Sequence, residues 1–434
     1  MMLAGWGRYP RQDCARLVLR DIAEAPRLLA SGTSLIARGN GRAYGDPALN
    51  PDGVLDMRRC DRILEFDPAT GRIACEAGLM LSDLLDFAVP RGWFPPVTPG
   101  TKFVTIGGMI AADVHGKNHH GSGSFTRHVE SLDLLSADGS LRRISAEEEG
   151  ELFRATCGGM GLTGVILEAR FRLIPIETPY IRQDTLRTAN LGETLEAHED
   201  SARWTYSVGW IDCLAQGPAL GRGVVFRGEH ARRAEAPAAP PKPRPKLPVP
   251  LDAPGFTLNR WSMRAFNEAY FRLARPGDAV LDYDRCFYPL DAVLGWNRLY
   301  GRKGFVQYQC VLPKPASRLA LAAILERTAS AGQGSFLAVL KGFGPGGPGF
   351  LSFPMEGYTL TLDFPATPRS FALIQSLDAI VDGVGGRLYL AKDACAAPVQ
   401  IRRGYPLLPR FQAVRAAVDP NGKFASLQSR RLGL

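Results

Sequence analysis

The chain has 434 residues, 45% of them hydrophobic, which allows two or three domains with sizeable cores and excludes overall disorder. Its 52 basic against 43 acidic residues leave a net charge of +9, which favours anionic partners such as lipid headgroups, nucleic acid or a phosphorylated substrate. No zinc-finger, helix-turn-helix or RNP-like pattern supports nucleic acid, and eight cysteines scattered without CxxC pairs argue for reduced, buried thiols rather than disulfides or zinc.

The first residues, MMLAGWGRYPRQD, hold no apolar run of signal-peptide length, and no later segment offers about 18 uninterrupted apolar residues. A cytoplasmic protein is therefore expected. From Ile36 to Asp46 the chain reads IARGNGRAYGD, a short apolar strand entering a loop that contains Gly39, Gly41 and Gly45. Successive amides in such a loop form an anion-binding concavity, and the forks of Arg38 and Arg42 suit phosphate. Strand-like pieces GVLDM, RILEFD and RIACEAG follow, and LSDLLDFAVPRG is the first long helical pattern.

Thr98 to Phe125, TPGTKFVTIGGMIAADVHGKNHHGSGSF, joins a glycine-rich turn to a dense polar cluster. Gly107 and Gly108 let backbone amides approach a large ligand closely, and His115, Lys117, Asn118, His119 and His120 supply donors beside them. A metal is not expected there. Gly116, Gly121 and Gly123 disfavour the helix that HxxxH ligation needs, Lys117 repels a cation, and no carboxylate nearer than Asp113 completes a ligand set. Further on, Gly159, Gly161 and Gly164 satisfy GxGxxG, but a helical pattern precedes them and a strand pattern follows, the reverse of the dinucleotide fingerprint's context.

From about Ile176 a second unit begins. Inside it, residues 234–250, AEAPAAPPKPRPKLPVP, read either as a solvated linker or as a flexible lid whose Lys242, Arg244 and Lys246 touch an anionic membrane surface. If FVQYQ is a strand, Gln307 and Gln309 share one face, which fits sugar recognition or simply a half-exposed sheet. Lys392, in YLAKD, is either an active-site ammonium or a strand-end lysine paired with Asp393.

The two glycine segments in this order resemble the FAD-binding half of the vanillyl-alcohol-oxidase superfamily, the PCMH-type FAD fold. Within it, GWGR (5–8), ARGNGRAYGD, HGKNHH, GLTG (161–164), FYPLD (287–291), WNRLYG (296–301), FVQYQ (305–309), SFP (352–354), LDFP (362–365) and GGRLYLAKD (385–393) resemble the decaprenylphosphoryl-β-D-ribose 2-oxidase family. The resemblance implies an α+β protein: an FAD-binding domain over 1–175, a substrate domain built on an antiparallel sheet over 176–394, and a segment 395–434 returning to the first domain. It implies FAD contacts from Arg38, Gly39, Asn40, Gly41, Arg42, Ala43, Tyr44 and Gly45, and from Gly100, Thr101, Thr105, Ile106, Gly107, Gly108, Ala112, Asp113, His115, Gly116 and Asn118. Ile166 and Tyr389 complete that set. Covalently flavinylated superfamily members carry a histidine where Ala43 and Tyr44 stand here, so noncovalent FAD is expected.

Lys392 is expected to act in catalysis with His115 and Tyr44, the tyrosine also fitting a plain core role. By resemblance the substrate wall comprises Lys117, Tyr288, Gln307, Gln309, Lys341 and Lys392. Thr361 replaces the cysteine found in inhibitor-sensitive members and Thr359 replaces an asparagine, which leaves the sugar and lipid preference open. The implied reaction is oxidation of the C2 hydroxyl of a polyprenyl-phosphoribose, with an NAD(P)H-dependent short-chain reductase as partner. Rivals are an alditol or aldonolactone oxidase on a soluble sugar and a flavin-free glycolipid-binding protein.

Overall fold

The computed structural model describes residues 1–29, 32–242, 244–255 and 257–434. Within the proline-rich loop, residue 243 lies outside the described residues. A small parallel sheet places Val54–Asp56 between Arg16–Val18 and Ile36–Arg38. Its central strand is buried throughout, and Ile36 leads straight into the first glycine loop.

Beside it stands an antiparallel sheet of five strands, in the order Leu141–Ser145, Val129–Leu135, Val165–Arg172, Arg72–Glu76 and Ile63–Phe66. Alternation along Val165–Arg172 sends Leu167, Ala169 and Phe171 inward while Arg170 turns out to pair with Asp133 at 3.1 Å. The helix Leu81–Ala88 covers this core with Leu81, Leu84, Leu85 and Ala88, the three-and-four spacing of an apolar stripe. The α-helix stops short of the full LSDLLDFAVPRG pattern because Pro90 has no amide hydrogen to donate, and a 3-10 turn over Val89–Arg91 ends at Gly92.

The GMGLTG glycines follow the helix Gly150–Thr156 and precede the strand Val165–Arg172, as their context predicts. In the histidine run, however, a four-residue helical turn does form over His119–Ser122, stopped by Gly123 at φ 70°. His115 lies before that turn, bridged to Ser124, so the two histidines do not share a helix face, and no cluster of metal-ligating side chains occurs among the described residues.

The largest sheet has eight antiparallel strands: Gly277–Asp282, Tyr180–Thr188, Gly223–His230, Tyr206–Ile211, Val339–Phe343, Gly357–Pro365, Phe305–Pro313 and Arg387–Leu388. Helices Leu191–Asp200, Ser317–Ala331 and Pro368–Gly383 pack on one of its faces. The other face looks toward the glycine loops. The C-terminal segment returns to the N-terminal part, where Leu35 bridges Phe424 and Arg431 holds both Asp46 and Asp393 at 2.8 Å.

Candidate active site

The first glycine loop is fixed from three sides. Gly5 and Trp6 pack on it from GWGR, where the Trp6 amide donates to the Ala43 carbonyl at 2.7 Å. A β-carbon on Gly45 would sit 1.9 Å from the Asp393 carbonyl oxygen, so only glycine lets this loop meet the turn that carries Lys392. A β-carbon on Gly39 would lie 2.1 Å from Thr105 Oγ1. Thr105 caps the helix Ile106–Ala111, accepting the Gly108 amide at 3.3 Å, so the two glycine segments, distant in sequence, form one wall.

That wall bounds a cavity of about 430 Å³ that runs from Ala48 and Met57 to Lys341. Of the expected cofactor contacts, Arg38, Gly39, Asn40, Gly41, Arg42, Ala43 and Tyr44 line it, as do Gly100, Thr101, Thr105, Gly107, Gly108, Ala112, His115, Gly116, Ile166 and Tyr389. Four others stand behind the wall and support it. Gly45 meets Asp393, and Ile106 belongs to the core behind the helix. Asp113, at φ 40°, accepts hydrogen bonds from Thr126 and Ser352, and Asn118 donates to the Pro96 carbonyl at 2.8 Å.

The two loop arginines differ. Arg38 spends its fork on the carbonyls of Ala48 and Ala4, at 3.0 and 2.6 Å, and so braces the loop. Arg42 instead stacks its guanidinium 3.9 Å over the Trp6 ring, where burial lowers its pKa and Asp291 opposes the shift. Asp291 itself is held by Thr101 Oγ1 and the Lys102 amide, both at 2.8 Å. The FYPLD motif contained this carboxylate, but its role as the partner facing Arg42 was not legible until the fold brought residues 42, 101 and 291 together.

At the far end three half-buried lysines converge. Lys392 places its Nζ 3.9 Å over the Tyr44 ring, and burial pushes its pKa down to about 8 against the pull of Asp363. Burial, with Lys392 and Lys117 nearby, pushes Lys341 down to about 7. Lys117 donates to the Cys286 carbonyl, and burial lowers its pKa as well. Asp393 pairs with Arg431, leaving Lys392 turned to the cavity rather than engaged at a strand end.

Gln307 and Gln309 both reach the cavity from Phe305–Pro313. Gln307 donates to Asp363 at 2.6 Å, and burial pushes that carboxyl up to about 7. The Gln309 amide contacts His115 Nε2 at 3.0 Å and Thr359 Oγ1 at 3.1 Å. Burial, Lys341 and His119 push the His115 pKa well down, so the ring is neutral and accepts from Gln309 at Nε2. Tyr288 does not reach the cavity. It is fully buried beneath, its hydroxyl bonded to Thr98, while Thr98 itself lines the wall.

An apolar lobe adjoins the lysines, lined by Val208, Trp210, Phe226, Tyr270, Leu337 and Val339. Sequence reading missed it, because strand alternation looks the same whether a face meets a core or a cavity. The site thus offers bare backbone and Arg42 for a pyrophosphate, a long slot with Tyr389 and Ile166 for a ring system, and a cationic end beside two amides. Those groups fit FAD.

Residues 19–145 match the family model described as an FAD binding domain. Over 448 residues, all of this chain and 97% of the relative, 38% of positions are identical to decaprenylphosphoryl-beta-D-ribose oxidase of Mycolicibacterium smegmatis. The chain belongs to the decaprenylphosphoryl-β-D-ribose oxidase family. An uncharacterized protein of Streptomyces coelicolor is 37% identical over 82% of this chain and its own full length. L-gulono-1,4-lactone dehydrogenase of Mycobacterium tuberculosis is 23% identical over 98% of both chains. The protein is an FAD-dependent oxidoreductase with a PCMH-type α+β fold, and the flavin-free reading falls away.

Proposed function

We propose that this oxidoreductase converts the C2 hydroxyl of a polyprenyl-phospho-β-D-ribofuranose to a ketone, the first half of an epimerisation that an NAD(P)H-dependent short-chain reductase completes. The observation that carries this reading is the meeting of Lys117, Lys341 and Lys392 with Gln307, Gln309 and the apolar lobe at one end of the cavity. A phosphodiester suits the ammonium groups, ribose hydroxyls suit the amides, and an isoprenoid suits the lobe. A soluble alditol or lactone would require neither the cationic cluster nor the lobe.

FAD, when bound, supplies the two-electron acceptor for the carbinol hydride. The chain's part is to bind, orient and move one proton. Lys392, with its pKa brought to about 8, exists in both forms near neutrality. Its neutral amine takes the hydroxyl proton, and the resulting ammonium opposes the negative charge that builds beside it. Tyr44 fixes the ammonium's position with its ring face, and neutral His115 holds Gln309 in place.

Oxidation assays with synthetic polyprenyl-phosphoribose and with free polyols decide between the substrates. Turnover confined to polyols overturns the proposal. We also propose noncovalent FAD, since Ala43 and Tyr44 occupy the loop position and offer no imidazole. Acid precipitation should release all flavin to the supernatant, and yellow colour retained in the pellet overturns this.

No helix among the described residues is long and apolar enough to cross a membrane. The basic balance and a lipid-linked substrate support a cytoplasmic enzyme working peripherally at the inner membrane face. Its binding to anionic vesicles should weaken as salt rises, and failure to bind at low salt counts against that location. Within the proline-rich loop, Arg244 is turned inward toward the carbonyls of Asp284, Tyr288 and Pro289, while Lys242 and Lys246 are exposed.

A further inference from the structure

The helix Arg260–Leu273 turns a broad apolar face away from the protein, unlike an ordinary surface helix. Its inward side is mixed: Met263 is buried in the core and Phe271 packs under Arg222, while Asn267 donates to Asp212 at 2.7 Å and Glu268 meets Arg222 at 2.6 Å. Its outward side carries Trp261, Ala265, Phe266, Ala269, Tyr270 and Leu273, which at about 100° per residue cover half the circumference. Trp261 is 72% exposed and Leu273 78%, values that no packing among the described residues explains.

Charge says what covers this face. Between residues 260 and 276 stand Arg260, Arg264, Arg272 and Arg275 against one acid, Glu268, which bridges Arg222 and Arg272 and leaves Arg260, Arg264 and Arg275 in excess. An isologous contact between two copies would bring like-charged arginine sets together. A bilayer with anionic headgroups meets both demands, taking the arginines at the headgroups, Trp261 and Tyr270 at the interface and Leu273 below it. The face is also continuous with the active site, because Tyr270 lines the cavity and packs against Trp210 at 4.7 Å and Phe266 at 6.0 Å.

We propose that the outward face of Arg260–Leu273 docks on an anionic bilayer and that the aromatic run Phe266–Tyr270–Trp210 leads a lipid tail from it into the apolar lobe. The second half rests on the lipid-linked substrate proposed above. The first half does not.

The test uses the flavin-loaded full chain and sedimentation with vesicles of phosphatidylglycerol and phosphatidylcholine, or of phosphatidylcholine alone, without substrate. The parent should bind the anionic vesicles preferentially. Trp261→Gln/Leu273→Gln, which changes two exposed side chains and no charge, should bind them at least roughly 10-fold more weakly, the scale of withdrawing two interfacial apolar anchors. Leu319→Gln, an equally exposed leucine on the helix Ser317–Ala331, should bind like the parent. Parent-like binding by the double variant, or equal binding to both vesicle types, overturns the docking face. So does a parent dimer that the double variant converts to monomer without lipid, since the face would then join two copies. On a water-soluble short-prenyl phosphoribose the double variant should turn over like the parent, while on long-prenyl substrate in vesicles it should be slower. Equal rates on the vesicle substrate overturn the tail route, whereas a parent inactive on both overturns the proposed substrate and leaves the vesicle result standing.

Discussion

Lys392→Ala should keep the fold and much of the FAD but lose roughly 10²-fold or more in the rate of flavin reduction by substrate, the cost of removing one electrostatic donor from a reaction site. The substitution removes an ammonium held over the Tyr44 ring and leaves the Asp393–Arg431 contact that anchors the turn. Because Tyr44 and Gln307 remain, the loss should appear in the reduction step more than in substrate affinity. Lys392→Arg should not rescue fully, since a planar guanidinium cannot take the place of a compact ammonium over that ring without moving its neighbours. In the parent, the rate should climb with pH through the region of about 8, as the neutral amine becomes available, and then level. Anaerobic stopped-flow bleaching of the bound flavin measures all three effects. A parent-like rate in Lys392→Ala makes the lysine structural and ends its catalytic assignment.

Lys341→Met should move activity and stability in opposite directions. Loss of this half-buried cation should cut kcat/KM for a phosphodiester substrate by roughly 10²-fold or more, the scale for a charge-assisted contact that the bound substrate desolvates. The same change should raise the melting temperature of the substrate-free protein, because burial holds this lysine at about 7 against an ordinary 10.5. Between those values the unfolded chain binds the proton that the folded chain has released, so parent stability rises with pH by about 1.4 kcal/mol per unit. The advantage of methionine is therefore largest below about pH 7 and shrinks toward pH 10.5. Parent KM should likewise rise above pH 7 as Lys341 loses the charge that meets the phosphate. A pH series of melting curves beside steady-state kinetics reads both, and equal kcat/KM in the two proteins removes Lys341 from the substrate wall.

The flavin half was legible because its chemistry is local. Gly39, Gly45, Gly107 and Gly108 mark places where backbone must approach something closely, and the order of helix and strand around Gly159–Gly164 separated this fold from the dinucleotide fingerprint without any coordinates. The match of GGRLYLAKD singled out Lys392, and the cavity receives it. Arg38 and Tyr288 show where such reading stops. Each has the right chemistry for a ligand, yet Arg38 is committed to two carbonyls and Tyr288 lies under Thr98.

The sequence by itself pointed to an α+β architecture and to the residue types available for an alcohol oxidation, because glycine placement and period-two alternation act over a few residues, while the cofactor class came from the family resemblance that the glycine segments carry. Tertiary structure alone decided that Arg42 faces Asp291, that three lysines gather at one end, and that Trp210, Phe226, Tyr270 and Val339 line an apolar lobe. The lobe follows from the strand order of the eight-stranded sheet, which sets Tyr206–Ile211 beside Val339–Phe343 across a long span of chain. Periodicity says which side chains share a face but not what that face meets. The distance between core and cavity is a property of packing.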